Sequence, residues 1–259
     1  MFNVTYAILF AAGLFLGMML MLEIGRRIGD RDENLDPDGA HSGTGAVEGA
    51  VFALFGLLVA FSFSGAAGRF EARRHLIVEE ANAIGTAYLR LDVVPPADQV
   101  TLRELFRRYV DARLEIYAKI PDLDAARGAL ARAGELQTQI WSHAVAACRD
   151  GGAQPCAILL LPALNAMFDI TTTRTAAAGM HPPWIVFAML FGLGLGCSLL
   201  AGYSMATGVR RKWTHMIAFG AITAVTVYVI LDLEFPRLGF IRVDAFDQVL
   251  VDVRGSMDR

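Results

Sequence analysis

The stretch GAVFALFGLLVAFSFSGAAGRFEARRHLIVEEANAIGTAYLR, residues 49–90, decides the fold. Its first part, Gly49 to Gly68, carries no charge. At about 1.5 Å of rise per residue, a helix of that length crosses the roughly 30 Å of bilayer hydrocarbon once. Charge arrives abruptly at Arg69, yet the helical period does not break. Phe70, Ile77, Ala81, Ile84 and Tyr88 fall seven, four, three and four apart and form one amphipathic stripe. One helix is therefore predicted to leave the membrane and continue into water until Pro95-Pro96 stops it.

Three further spans follow from the same criterion. Val4 to Leu22 is uncharged and leads into Glu23-Ile24-Gly25-Arg26 without a small-residue cleavage site, so it reads as a retained anchor rather than a signal peptide. Trp184 to about Val209 follows Pro182-Pro183 and stops at Arg210-Arg211-Lys212, with Trp184 and Trp213 at its edges where indole rings favour the headgroup layer. Met216 to Leu231 is short but workable with local thinning. Arg26 to Ala46 reads as a short polar connection. Small residues recur at helical spacing (Gly13/Gly17, Gly56/Ala60/Ser64, Gly192/Gly196, Ser198/Gly202/Ala206), a pattern that lets helices approach closely in lipid.

Composition agrees. Of 259 residues, 55% are hydrophobic and 19% charged, with mean hydropathy +0.45; a soluble domain carries about 25% charge. The net charge of -3 gives no basic field for nucleic acid. Only Lys119 and Lys212 among the 23 basic residues are lysine, an arginine-rich usage that points to a GC-rich bacterial genome.

The segment between the second and third spans is too polar for the membrane and too apolar for a disordered linker. It reads as helices over Ala97 to Ile120, Leu123 to Ala147 and Ala157 to about Ala178, separated by Pro121 and the turn CRDGGAQPC. The expected fold is all-α and polytopic. Residues 1–68 form a first transmembrane pair, 69–181 an extramembrane helical segment, 182–232 a second pair and 233–259 a C-terminal tail.

Cys148 and Cys156 flank that turn and could close a disulfide loop in an oxidising compartment or remain two thiols; both readings stay open. Cys197, inside an apolar run, reads as a buried small residue. Basic residues near the span ends balance on the two sides, so the charge rule leaves orientation open, while the tight Arg210-Arg211-Lys212 cluster and a possible disulfide favour a non-cytoplasmic middle segment.

No Walker loop, nucleophile elbow, HExxH or CxxC pair occurs, and the five histidines show no metal-ligand spacing. No metal, cofactor or enzymatic activity is expected. Two polar constellations remain. Beyond the second span, Ser62 and Ser64 precede Arg69, Arg73, Arg74, Glu79, Glu80 and Asn82, with His75 four residues before Glu79. The bland reading is a solvated helix face; the functional one is a pore mouth, where rings of arginine attract anions and hydroxyls replace hydration. At the end of the fourth span, Asp232, Glu234 and Arg237 sit at a water–lipid boundary, where an ionisable group is costly unless paired.

The run from Phe61 to Arg74 resembles the end of the second helix of bestrophins, a phenylalanine followed by small polar residues and an Arg-aromatic-Glu-Ala-Arg stretch, here Arg69-Phe70-Glu71-Ala72-Arg73. The stretches Glu79-Glu80-Ala81-Asn82-Ala83-Ile84-Gly85-Thr86-Ala87-Tyr88-Leu89-Arg90 and Leu231-Asp232-Leu233-Glu234-Phe235-Pro236-Arg237 are similar to hallmarks of a bacterial bestrophin-like family of unknown function. The resemblance implies a homo-oligomeric, pentameric channel for chloride or other small anions in the bacterial inner membrane. The second span would line its pore, Ala53, Leu57 and Phe61 would form the apolar constriction, and the middle segment would be cytoplasmic. The competing expectation is a non-conducting membrane scaffold or sensor whose middle helices bind a partner protein.

Overall fold

The structure, a computed structural model, describes residues 4–35, 44–120, 122–150, 154–206 and 213–258. These form eight α-helices and no strand. They are α1 (Val4–Leu35), α2 (Thr44–Leu89), α3 (Pro96–Ala118), α4 (Leu123–Asp150), α5 (Gln154–Gly179), α6 (Trp184–Ser204), α7 (Trp213–Glu234) and α8 (Gln248–Ser256). Among the described residues four helices are long and apolar enough to cross a membrane, at the four places the sequence marks. The all-α polytopic class holds. The helix from the second span runs unbroken from Thr44 to Leu89, and Pro96 opens α3 at its first turn, where the missing N–H has no partner to lose.

Element ends depart from expectation in three places. The polar connection after the first span is helical as far as Leu35, because Glu23, Arg26, Arg27 and Asp30 pair at i,i+3 and i,i+4 with separations of 2.7–3.5 Å. The fourth span is not short. It runs 22 residues from Trp213 to Glu234, about 33 Å. The third span ends its α-helix at Ser204, and its expected end near Val209 lies outside the described residues, as do Pro121 and the centre of the CRDGGAQPC turn.

The chain divides into two compact units. The first holds Met1–Arg69 and His181–Phe240. Here α1 packs on α6 backbone to backbone: a Cβ at Gly25 would fall on the Leu199 carbonyl, and one at Gly202 on the Leu22 carbonyl. Only glycine admits so close an approach. Of the small-residue stripes read from the sequence, Gly17 and Gly202 serve this contact, whereas Gly13, Gly56, Gly192 and Gly196 face open space within the chain. Leu14 and Met18 of α1 bury against Val227 and Leu231 of α7, and Phe55 of α2 against Leu190 and Cys197 of α6.

The second unit holds Phe70–Met180 and Ile241–Arg259. Its core is built from Ile84, Leu91, Leu102, Phe106, Ile140 and Leu160, each essentially buried. Burying side chains of this size stabilises by about 1.5–3 kcal/mol each. Part of the tail belongs to it: Leu250 and Met257 are buried in that core, and the Met257 carbonyl accepts hydrogen bonds from Tyr88 Oη at 3.0 Å and Arg107 Nη2 at 2.7 Å.

Candidate pore helix and its charged junction

Helix α2 is the least covered of the spans. Within the chain 11% of its most apolar stretch is buried, against 50% for α7. Ala53, Leu57 and Phe61 lie on its open face, Leu57 at 52% and Phe61 at 67% exposure. They fall one per helical turn, and among the described residues none covers them. Ser62 turns the other way and is buried with its hydroxyl unpartnered, whereas Ser64 is exposed.

The arginines that follow are engaged. Arg69 donates from Nε to both carboxylate oxygens of Glu234, at 2.8 and 3.2 Å, and Nη2 closes on the same carboxylate. Glu234 is fully buried, and His181 Nδ1 lies 3.5 Å from its other oxygen with the imidazole stacked on Phe235. A buried carboxylate at the end of a span is tolerable because a guanidinium meets it in bidentate geometry. Arg73 caps the end of α5, donating from Nε to the Ala177 carbonyl at 3.2 Å and from Nη2 to the Met180 carbonyl at 2.8 Å. A cation there also faces the negative end of the helix dipole. Arg74 pairs with Glu71 at 2.6 Å and lies 4.0 Å over the Phe246 ring.

Glu80 does not stand with Glu79 and Asn82. Those two are exposed, whereas Glu80 is completely buried and accepts from Arg113 Nε at 2.5 Å and from Arg174 Nη1. Its burial takes it off the exposed face of α2, and the reason is periodicity: three residues after Ile77 and four before Ile84, it shares their inward face. Arg174 continues to Asp247 at 3.0 Å and lies over the Tyr117 ring, and Arg113 Nη2 donates to Tyr117 Oη at 2.7 Å. Burial opposes the Glu80 charge, but Arg113 and then Arg174 outweigh it and hold the carboxyl below the usual range. Burial pushes the neighbouring Tyr109 phenol up; it bonds to Thr171 at 2.9 Å and receives a hydrogen bond from Gln137. His75 faces Glu71 at 3.5 Å rather than Glu79.

Asp232 accepts from Tyr228 Oη at 3.1 Å and from the Phe240 backbone N–H at 3.0 Å, so it ties down the turn after α7. A Cβ at Gly239 would overlap its carboxylate. Arg237 is half-buried in that turn. Cys148 and Cys156 are joined in a disulfide between α4 and α5, Cα atoms 5.3 Å apart. Among the described residues no three His, Cys, Asp or Glu side chains gather where a metal ion would sit. Sequence reasoning passed over Arg113, His181 and Asp247, whose partners lie far along the chain. The one available signal was Glu80 itself, a charge on an apolar stripe.

No curated protein matches this chain. Two solved structures share its fold, both single-residue variants of a bacterial bestrophin homologue from Klebsiella pneumoniae. One superposes with a TM-score of 0.66 at 14% identity over 92% of this chain and 98% of that chain. The other gives 0.63 at 14% identity over 98% and 99%. At that identity the likeness speaks for the fold alone. The Bestrophin-like domain matches residues 12–245. A match over most of the sequence, on a four-span helical membrane protein of this fold, settles the family: the chain belongs to the Bestrophin-like domain family.

Proposed function

We propose that this protein is one subunit of an oligomeric ion channel in the bacterial inner membrane, with α2 lining the central axis. The observation that carries the reading is the bare face of α2. Ala53, Leu57 and Phe61 are exposed at successive turns on the span with the least intrachain cover. A ring of such helices would put an apolar collar on the axis, and collars of that kind gate by dewetting. Gly56, with open space around it, and the small Ala60 and Ser64 would let α2 of neighbouring copies approach closely. Five copies is the number the bestrophin resemblance supports.

The same resemblance supports an anion preference. The side chains at the junction do not add to it, because Arg69, Arg73 and Arg74 each have partners within the chain. The purified full chain in planar bilayers is expected to conduct, and Phe61→Ala to raise its conductance by removing the bulkiest member of the collar. Electrically silent bilayers, for both proteins, would overturn the reading and leave the partner-binding scaffold in its place.

A further inference from the structure

Cys148 lies in the last turn of α4 and Cys156 in the first turn of α5, and their disulfide joins the two helix ends across a stretch that includes Gly151-Gly152. Glycines leave an unfolded chain its greatest freedom, and closing the chain over them removes part of it. Cys156 is 0% exposed and Cys148 9%, within the core that holds Ala144, Ala147 and Leu160. Thiol–disulfide exchange needs access to the sulfur, so a bond this enclosed forms while the unit folds and is then kept. Glutathione and thioredoxin hold cytoplasmic thiols reduced, and a bond of this kind belongs to an oxidising compartment. The basic residues agree once loop length is weighed. Arg26, Arg27 and Arg31 follow the first span, and Arg210-Arg211-Lys212 follow the third. Those two connections are short and, with two spans between them, share one side. Charge in short loops sets orientation, whereas segments beyond about 60 residues cross largely regardless of charge. The chain from Arg69 to His181 exceeds that length, so its arginines weigh little against the short connections.

We propose that the second unit matures outside the cytoplasm, and that Cys148 and Cys156 are a modification site for a protein disulfide donor of that compartment. The inference is independent of the channel reading and runs against the cytoplasmic placement that the bestrophin resemblance implies. The thiolate of one cysteine attacks the donor's disulfide, forming a mixed disulfide and releasing one donor thiolate. The second cysteine's thiolate then attacks the sulfur of the first, the bond within the chain closes, and the donor leaves as a dithiol. The chain loses two electrons and two protons, and the donor gains both. Cys197, buried in α6, remains a thiol. Leu250 and Met257 of the tail are buried in the same core as Cys156, so the tail shares the compartment of the second unit.

The test has two arms on the full chain in a Gram-negative host. In the first, alkaline phosphatase, which becomes active only outside the cytoplasm, or green fluorescent protein, which fluoresces only inside it, is fused after Arg259. Active phosphatase and dark fluorescent protein are expected; the opposite pair overturns the placement. In the second, cells are quenched in acid and the denatured chain is alkylated with a polyethylene glycol maleimide. Of the three cysteines only Cys197 should label, rising to all three after reduction. The double variant Cys148→Ser, Cys156→Ser should take one label under both conditions. In cells lacking their extracytoplasmic disulfide donor, the unreduced chain should label at all three. Three labels in unmodified cells overturn the modification site, and a single label in the donor-deficient cells overturns the donor's part in it. Neither arm reads current, so a silent bilayer bears on the channel alone.

Discussion

Replacing Glu80 with Gln removes one charge from the best-buried ionic cluster in the protein. Glu80 is 0% exposed, Arg113 1% and Arg174 7%, so the substitution leaves two guanidinium groups in the core of the second unit around a neutral amide. Breaking a buried pair by removing one partner costs about 3–5 kcal/mol. Gln keeps one carbonyl acceptor, which places this variant at the lower end, about 3 kcal/mol. For a chain of this size each kcal/mol moves the melting temperature by about 2–4 °C, so a fall on the order of 10 °C is expected. Trp141 reports on the right unit, its ring 6.5 Å from Phe168. With Trp184 and Trp213 changed to Phe, its fluorescence follows that unit alone during heating in detergent. Glu79→Gln, one residue away and exposed, is the control and should stay within about 0.5 kcal/mol. The pH dependence has a fixed sign. The folded-state value for Glu80 lies below its ordinary 4.5, so the stability it contributes is complete above that pH and is lost as the pH falls through the folded value. Glu80→Gln should lack that acid loss. Equal melting of Glu80→Gln and Glu79→Gln would refute the buried-cluster argument.

Other substitutions read other parts of the structure. Gly25→Ala must separate α1 from the Leu199 carbonyl and should cost about 1–3 kcal/mol, while Gly196→Ala meets nothing and should leave the detergent melt unchanged. Arg69→Ala strands the buried Glu234 carboxylate and should lower stability by about 3–5 kcal/mol, largely recovered by Glu234→Leu in the same chain; no recovery would mean that the pair is not the reason. Reducing the Cys148–Cys156 bond opens a loop with a sequence separation of 8, which should lower the Trp141 transition by about 2–3 kcal/mol. Alkylation mass spectrometry of the unreduced protein checks the premise, since two labelled thiols would contradict it.

The fold was legible because its decisive signals are local. A charge-free run, a helical period that survives the arrival of charge at Arg69, and paired prolines each act over one or two turns. What failed was also local reasoning. Glu23 and Arg26 read as the end of a span, yet their ion pairs with each other at i,i+3 and with Arg27 and Asp30 at i,i+4 extend the helix and carry Gly25 and Gly29 into close contact with Leu199 and Tyr203 of α6. In the sequence the junction arginines read as a group open to water. Their partners lie 165 residues away for Arg69 and 104 and 107 for Arg73, separations that no helical period encodes. Glu80 differs, because its place on the stripe of Ile77, Ala81 and Ile84 was readable and implied burial.

That the open face of α2 lines a water-filled axis, rather than facing lipid, is tested most directly by chemical accessibility during current recording. Phe61→Cys on α2 and Ile222→Cys on α7 introduce thiols at residues of nearly equal exposure in the single chain, 67% and 68%. A charged methanethiosulfonate reagent reacts with a thiol only where water reaches it. The account predicts rapid, irreversible change of the current for Phe61→Cys and none for Ile222→Cys. An unaltered Phe61→Cys current under conditions that modify an exposed cysteine at Glu79 would contradict it.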